Sequence, residues 1–312
     1  MNARAVLLLS LVAIMPAGCA LKSPPERPDV QAQALPGVTP PDAWQSGGTA
    51  ASPVENAWLA GFRDPRLDAL IAEALDHAPD LAVAAARVEQ AAAYVEGASS
   101  SLFPQVVAIG NVSGKDSTSG TVDYGGLSAS WELDLWGKIR SGQEAARLQL
   151  VSTELSTAWA RESMAAMVAQ AWFLASEARL QKGLADDMVT AAEKLVALAQ
   201  DRQRVGVGNE YDVSVAQASL ATSRDAAEQL GLSFRLSVQA IETLVGRYPA
   251  AELDVPAALP ALPGPVPAGL PSELLERRPD VVAAERRVAA AFFRVEETKA
   301  ARLPTIKLNT SF

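Results

Sequence analysis

The chain has 312 residues, 49% of them apolar, 20% charged and 5% aromatic, with a net charge of −9. It can therefore bury a core, and its acidic balance argues against nucleic acid as a partner, because phosphate binding needs clustered cations. One Cys and one His supply neither a disulfide framework nor a ligand set for zinc, iron–sulfur or haem, so no cofactor and no catalytic residue is expected.

Arg4 is followed by an apolar run at 5–15, broken only by Ser10, and then by Pro16-Ala17-Gly18-Cys19. A run of about 11 residues is too short for a bilayer span, which needs roughly 20, but suits a secretory signal at 1–18. Cys19 follows small residues at the cleavage point, a pattern that resembles a bacterial lipobox with Pro16 in place of the usual Leu. Cys19 is therefore a candidate lipid anchor, and a plain signal peptide with an incidental Cys is the alternative. Seven prolines between Pro24 and Pro53 mark residues 19–57 as an extended tether.

Helices are expected at 65–76 and 79–100, with His77 between them as an exposed surface residue. Two strands follow at 103–136 around a polar turn at 115–120. The second is sharply patterned: Leu127, Ala129, Trp131, Leu133 and Leu135 alternate with Ser128, Ser130, Glu132 and Asp134. Such a strand fits a half-buried soluble sheet, or a membrane barrel with its apolar face on lipid and its polar face on water.

No proline occurs from Gln105 to Arg247, which permits long helices. One is expected from 138 to about 205, a length of about 100 Å. Leu180, Leu184, Met188, Ala191, Leu195 and Leu198 form a stripe along it. A second is expected at 210–246, its stripe running through Val213, Ala216, Leu220, Ala227, Leu230, Phe234 and Ile241. Between them, Gly206 and Gly208 can end the first helix and Asn209 can cap the second. The expected product is a long antiparallel helical hairpin over 138–246, its abundant Ala favouring close packing. Seven more prolines between Pro249 and Pro271 make 249–270 an irregular linker.

Shifted by 200 residues, 70–104 overlies 270–304 with twelve of 35 positions identical, where composition alone would give about three or four. The matches include Glu73/Glu273, Pro79/Pro279, Asp80/Asp280, Arg87/Arg287, Glu96/Glu296 and Pro104/Pro304. Residues 58–248 thus form a first structural repeat, and 271–312 begin a second. The second copy reaches Phe312 soon after its first strand starts, so a sequence incomplete in its second repeat is expected, with three strands rather than four.

Several stretches carry a family resemblance. They are Phe62-Arg63-Asp64-Pro65-Arg66-Leu67, Ser130-Trp131-Glu132-Leu133-Asp134-Leu135-Trp136-Gly137-Lys138, Arg204-Val205-Gly206-Val207 leading to Asp212, and Leu274-Leu275-Glu276-Arg277-Arg278-Pro279-Asp280. Together they resemble the outer-membrane efflux proteins of the TolC/OprM/NodT type. The resemblance implies a mainly α fold with a minor membrane β part. Three protomers would share one β-barrel, and the helical hairpins would continue it as an α-barrel. It implies a passive trimeric conduit in the bacterial outer membrane, lipid-anchored, with most of the chain in the periplasm. The partners would be a periplasmic adaptor, an inner-membrane pump and outer-membrane lipid, and the cargo drugs or other small molecules. By motif, Val205, Gly206 and Val207 match the tip presented to the adaptor, and Asp212 matches a gating aspartate. Ser128, Ser130, Glu132 and Asp134 are lumen-lining candidates, and Trp131 and Trp136 suit an interfacial aromatic girdle. A lipid-anchored adaptor is the alternative reading, although no lipoyl-like β pair flanks the hairpin. A lipid-anchored periplasmic hydrolase is disfavoured by the single His and the lack of a Gly-x-Ser-x-Gly elbow.

Overall fold

The computed structural model describes residues 22–34, 37, 58–111, 124–263 and 274–312. The signal segment, Cys19 and the polar turn at 115–120 lie outside them. In chain order the elements are α1 (Arg27–Ala34), a 3-10 turn (Trp58–Phe62), α2 (Pro65–His77), α3 (Pro79–Ser100), β1 (Gln105–Asn111) and β2 (Tyr124–Leu133). They continue with α4 (Lys138–Arg204), α5 (Glu210–Leu244), α6 (Leu274–Arg277), α7 (Pro279–Ala300) and β3 (Ile306–Ser311). The α1 stretch corrects the expectation of a wholly extended tether: Pro28 falls in its first turn, where a missing N–H costs nothing, and no further proline interrupts it.

Local chemistry sets the ends of these elements. The Asp64 carboxylate accepts the Arg66 and Leu67 backbone N–H groups at 3.0 and 3.3 Å, and Pro65 starts α2. Leu67, Leu70, Ile71 and Ala74 then fall at helical spacing on one buried face. Ala78, before Pro79, is extended (φ −62°, ψ 123°), and its repeat counterpart Arg278, before Pro279, is extended too (φ −75°, ψ 114°). Steric pressure from the proline ring drives both residues out of the helical region. The repeat is thus written into the backbone as well as the sequence.

Contacts divide the chain into two units. One comprises 45–83 and 160–269. Its core joins Leu67, Leu70, Ile71 and Ala74 of α2 to Met164, Val168 and Trp172 of α4, Val238 and Ile241 of α5, and Val255. Trp172 is fully buried, and its indole N–H donates to Asp64 at 2.9 Å, so the cap of α2 also satisfies the only polar atom of that ring. Glu242 is buried as well. Its carboxylate accepts the backbone N–H groups of Ala251, Glu252 and Leu253 at 2.7, 2.8 and 3.0 Å, which fixes the chain after α5.

Antiparallel α4 and α5 are joined by the Arg224–Glu193 ion pair at 2.7 Å and by the approach of Gly231 to Lys182. The α5 stripe read from sequence faces inward. The α4 stripe does not: Leu184 and Leu195 are 64% and 58% exposed, whereas Ala178, Ala185 and Ala192, seven residues apart, are buried. The reason is size. Alanine lets two helices approach closely, so the narrow seam packs on α5 and the Leu stripe is left on the far side.

The second unit comprises 1–44, 84–159 and 270–312. Here α7 buries Ala283, Ala289, Ala290 and Phe293. Ser152 of α4 is buried and donates to the Ala283 carbonyl at 2.9 Å, a contact only a small residue permits. Arg278 lies over the Trp159 ring at 5.3 Å. Three antiparallel strands form one sheet in the order β1-β2-β3.

Candidate functional site

The sheet is amphipathic across all three strands. Its register sets Val106 beside Ala129 and Ala129 beside Thr310, Trp131 beside Leu308, and Leu133 beside Ile306. Because side chains alternate, one face carries Val106, Ala108, Leu127, Ala129, Trp131, Leu133, Ile306 and Leu308, with Thr310 as its polar member. The other carries Gln105, Ser128, Ser130, Glu132, Lys307, Asn309 and Ser311, with Val107 and Ile109 as its apolar members. Among the described residues nothing covers the apolar face: Val106 is 66% exposed, Leu127 54% and Leu308 53%. An apolar surface continuous over three strands is unusual for a face left in water. At ten residues, β2 has the length of a tilted transmembrane strand.

Of the residues singled out in sequence, Ser128, Ser130 and Glu132 stand on the polar face. Asp134 does not, because it lies past the last residue of the strand. The strand ends at Leu133, so the alternation does not continue to Leu135. Asp134 instead accepts the backbone N–H groups of Ile139 and Arg140 at 3.0 Å each, and the Arg140 Nε at 3.0 Å. A carboxylate at the first turn of α4 satisfies donors that the helix cannot, and Gly137 at φ +73° makes the turn that allows it. Trp131 and Trp136 are half-exposed, and their indole N–H groups donate to the Leu102 and Pro304 carbonyls at 2.9 Å each. Each therefore pins a corner where a helix gives way to a strand.

Sequence reasoning missed Lys307 and Asn309. The alternation Ile306-Lys307-Leu308-Asn309 was there to be read, but it is too short to stand out without its partner strand. Lys307 lies across from Glu132, with its Nζ 3.7 Å from the carboxylate, and Lys138 bonds the same group. At the foot of the sheet these three border a cleft of about 980 Å³, together with Gln143, Arg294 and Glu297.

The hairpin tip lies in the other unit. Gly206 adopts φ +81°; its N–H bonds the Gln203 carbonyl at 3.0 Å and the Val207 N–H bonds the Arg202 carbonyl at 2.9 Å. This pair of bonds ends α4 in a left-handed turn that favours glycine. Val205 and Val207 project outward, 72% and 67% exposed. Asn209 accepts the Asp212 backbone N–H at 2.9 Å, which leaves the exposed Asp212 carboxylate in the first turn of α5. His77 is exposed, and its Nδ1 lies 3.1 Å from the Glu73 carbonyl.

Among the described residues no group of His, Cys, Asp and Glu could hold a metal ion, and no helix is long and apolar enough to cross a membrane. The second fact says nothing of a β-barrel.

An uncovered amphipathic sheet joined to very long helices is the arrangement this fold presents, and comparison with known proteins gives the chain a family. The chain belongs to the outer membrane efflux protein family, whose profile matches residues 70–247. It is 31% identical over 296 residues to the pyoverdine export outer membrane protein OpmQ of Pseudomonas putida, covering 88% of this chain and 63% of that one. Among solved structures it is similar to the outer-membrane channel OprN, with a TM-score of 0.70 at 30% identity over 87% of this chain and 66% of that one. It is likewise similar to the open state of the Neisseria gonorrhoeae outer membrane channel MtrE, with a TM-score of 0.72 at 28% identity over 94% and 65%. The chain thus spans somewhat less than two thirds of the first curated relative it matches.

Proposed function

We propose that the protein is the outer-membrane channel component of a tripartite efflux or export system, a passive conduit for drugs or other small molecules. The observation that carries this reading is the three-stranded sheet with one face apolar and uncovered and the other polar. A sheet with free edges cannot stay in lipid, where unpaired N–H and C=O groups each cost several kcal/mol, so it must close with strands from elsewhere. Closure with counterpart strands in a homotrimer meets that demand. Ser128, Ser130 and Glu132 then line the duct, joined by Lys307 and Asn309. Val205, Gly206 and Val207 meet the periplasmic adaptor, which links the channel to an inner-membrane pump, and Asp212 acts at the closed end. Cys19 carries the lipid anchor in the outer membrane.

The test compares neighbours on β3. A Lys facing lipid at mid-bilayer costs about 2–4 kcal/mol, whereas one facing the lumen is tolerated. In a Cys19→Ser background, which removes the proposed lipid anchor, Leu308→Lys is expected to abolish recovery of the chain with isolated outer membranes, and Asn309→Lys to leave it near that background. Equal tolerance of both, or greater harm from Asn309→Lys, refutes the assignment of the two faces.

A further inference from the structure

The sheet-bearing unit also carries a group of cations that its own carboxylates do not neutralise. At the C-terminal end of α7, Arg294, Lys299 and Arg302 line a shallow depression of about 350 Å³ with Val295 and Thr298. Lys299 is held by Glu296 at 2.7 Å, and the same carboxylate takes Lys22 at 3.6 Å. The guanidinium groups of Arg294 and Arg302 have no ion-pair or hydrogen-bond partner among the described residues. Arg294 also borders the cleft that holds Glu297, but no ion pair joins the two. Of the four cations, Glu296 thus pairs with two, Lys22 and Lys299, and leaves both arginines unneutralised.

Position suggests what the rest are for. Arg302 stands four residues before Ile306, where the chain leaves the helix for β3 and its apolar face begins. Lys22, on the rim of the same group, stands three residues after Cys19. Val295 and Leu303 are exposed beside the charges, so the surface offers apolar contact next to anion-binding donors. A phosphodiester presents two oxygens that match the guanidinium fork, and it brings acyl chains with it.

We propose that this depression is a phospholipid site, in which Arg294 and Arg302 hold the headgroup phosphate of an anionic lipid in the leaflet that meets the root of the sheet. The site rests on the reading of that sheet as a bilayer element.

The experiment uses the full chain with phosphatidylcholine vesicles prepared with and without phosphatidylglycerol. Each cation near an anionic surface is worth about a fivefold gain in affinity, so phosphatidylglycerol should strengthen binding roughly 20-fold or more. The double variant Arg294→Gln/Arg302→Gln should lose most of that gain and keep wild-type binding to phosphatidylcholine alone. Arg235→Gln on α5, which removes an exposed charge outside this unit, should keep the gain. Absence of the gain, or an equal loss in Arg235→Gln, overturns the site. So does inorganic phosphate alone stabilising the detergent-solubilised chain through the same two arginines, since a free anion would then be the ligand. Quenching of tryptophan fluorescence by brominated acyl chains, lost in Trp131→Phe, reports entry of the sheet separately. If that quenching fails in every vesicle, the bilayer reading of the sheet falls, and the site falls with it.

Discussion

The α4–α5 seam offers a sharp test, because adjacent residues should respond in opposite ways to a change of size. Ala185 is 5% exposed and falls between Lys182 and Glu193, both of which meet α5, whereas Leu184, one residue earlier, is 64% exposed. Enlarging a well-packed position costs about 1–3 kcal/mol, since the added methyl groups force rotamers or helices apart. Ala185→Leu should therefore lower the melting temperature by roughly 2–12 °C, at about 2–4 °C per kcal/mol for a unit of this size. Burying a whole Leu is worth about 1.5–3 kcal/mol, and only about a third of Leu184 is buried, so Leu184→Ala should cost no more than about 1 kcal/mol. The assay is thermal unfolding followed by helical circular dichroism, at a protein concentration low enough to keep protomers apart. A larger loss from Leu184→Ala than from Ala185→Leu would show that the Leu stripe, not the Ala seam, holds the hairpin together.

Two further outcomes follow from single contacts. Arg247 donates through Nε to Glu73 at 2.6 Å and through Nη2 to the second oxygen, and this bonding holds the Glu73 carboxyl below its ordinary value of about 4.5, with partial burial opposing. A depressed folded-state pKa gives stability that is present above the unfolded value and lost as pH falls through the folded one. Glu73→Gln should therefore flatten the acid side of a melting-temperature profile below about pH 4.5, and an unchanged profile would show that the pair contributes nothing. Gly206 and Gly246 both sit at φ +81°, but a Cβ at Gly246 would meet the His77 carbonyl at 3.0 Å, whereas one at Gly206 would meet open space. Gly206→Ala should cost about 1 kcal/mol of left-handed strain and Gly246→Ala measurably more, read as separate shifts in melting temperature.

Much of the local structure could be read from the chain because it is set by nearest neighbours. Pro79 and Pro279 begin helices, Gly206 ends one, and Asn209 caps the next, since each effect depends on a few adjacent backbone groups. The alternation through Leu127–Leu133 likewise defined a two-faced strand before any partner was known. Other features had no local signature. Asp134 continued that alternation by identity, and only the turn at Gly137 shows its carboxylate serving α4 instead. Lys307 joined Glu132 only through a strand pairing about 175 residues apart in sequence. The burial of Glu242 among three backbone donors left no mark in the nearby sequence, and the way the α4 stripe faces could not be read because hydrophobicity says where apolar groups recur, not which of two seams a neighbouring helix will choose. Periodicity and punctuation, being local, determined the elements. Packing, which depends on size and on which distant groups meet, decided their faces.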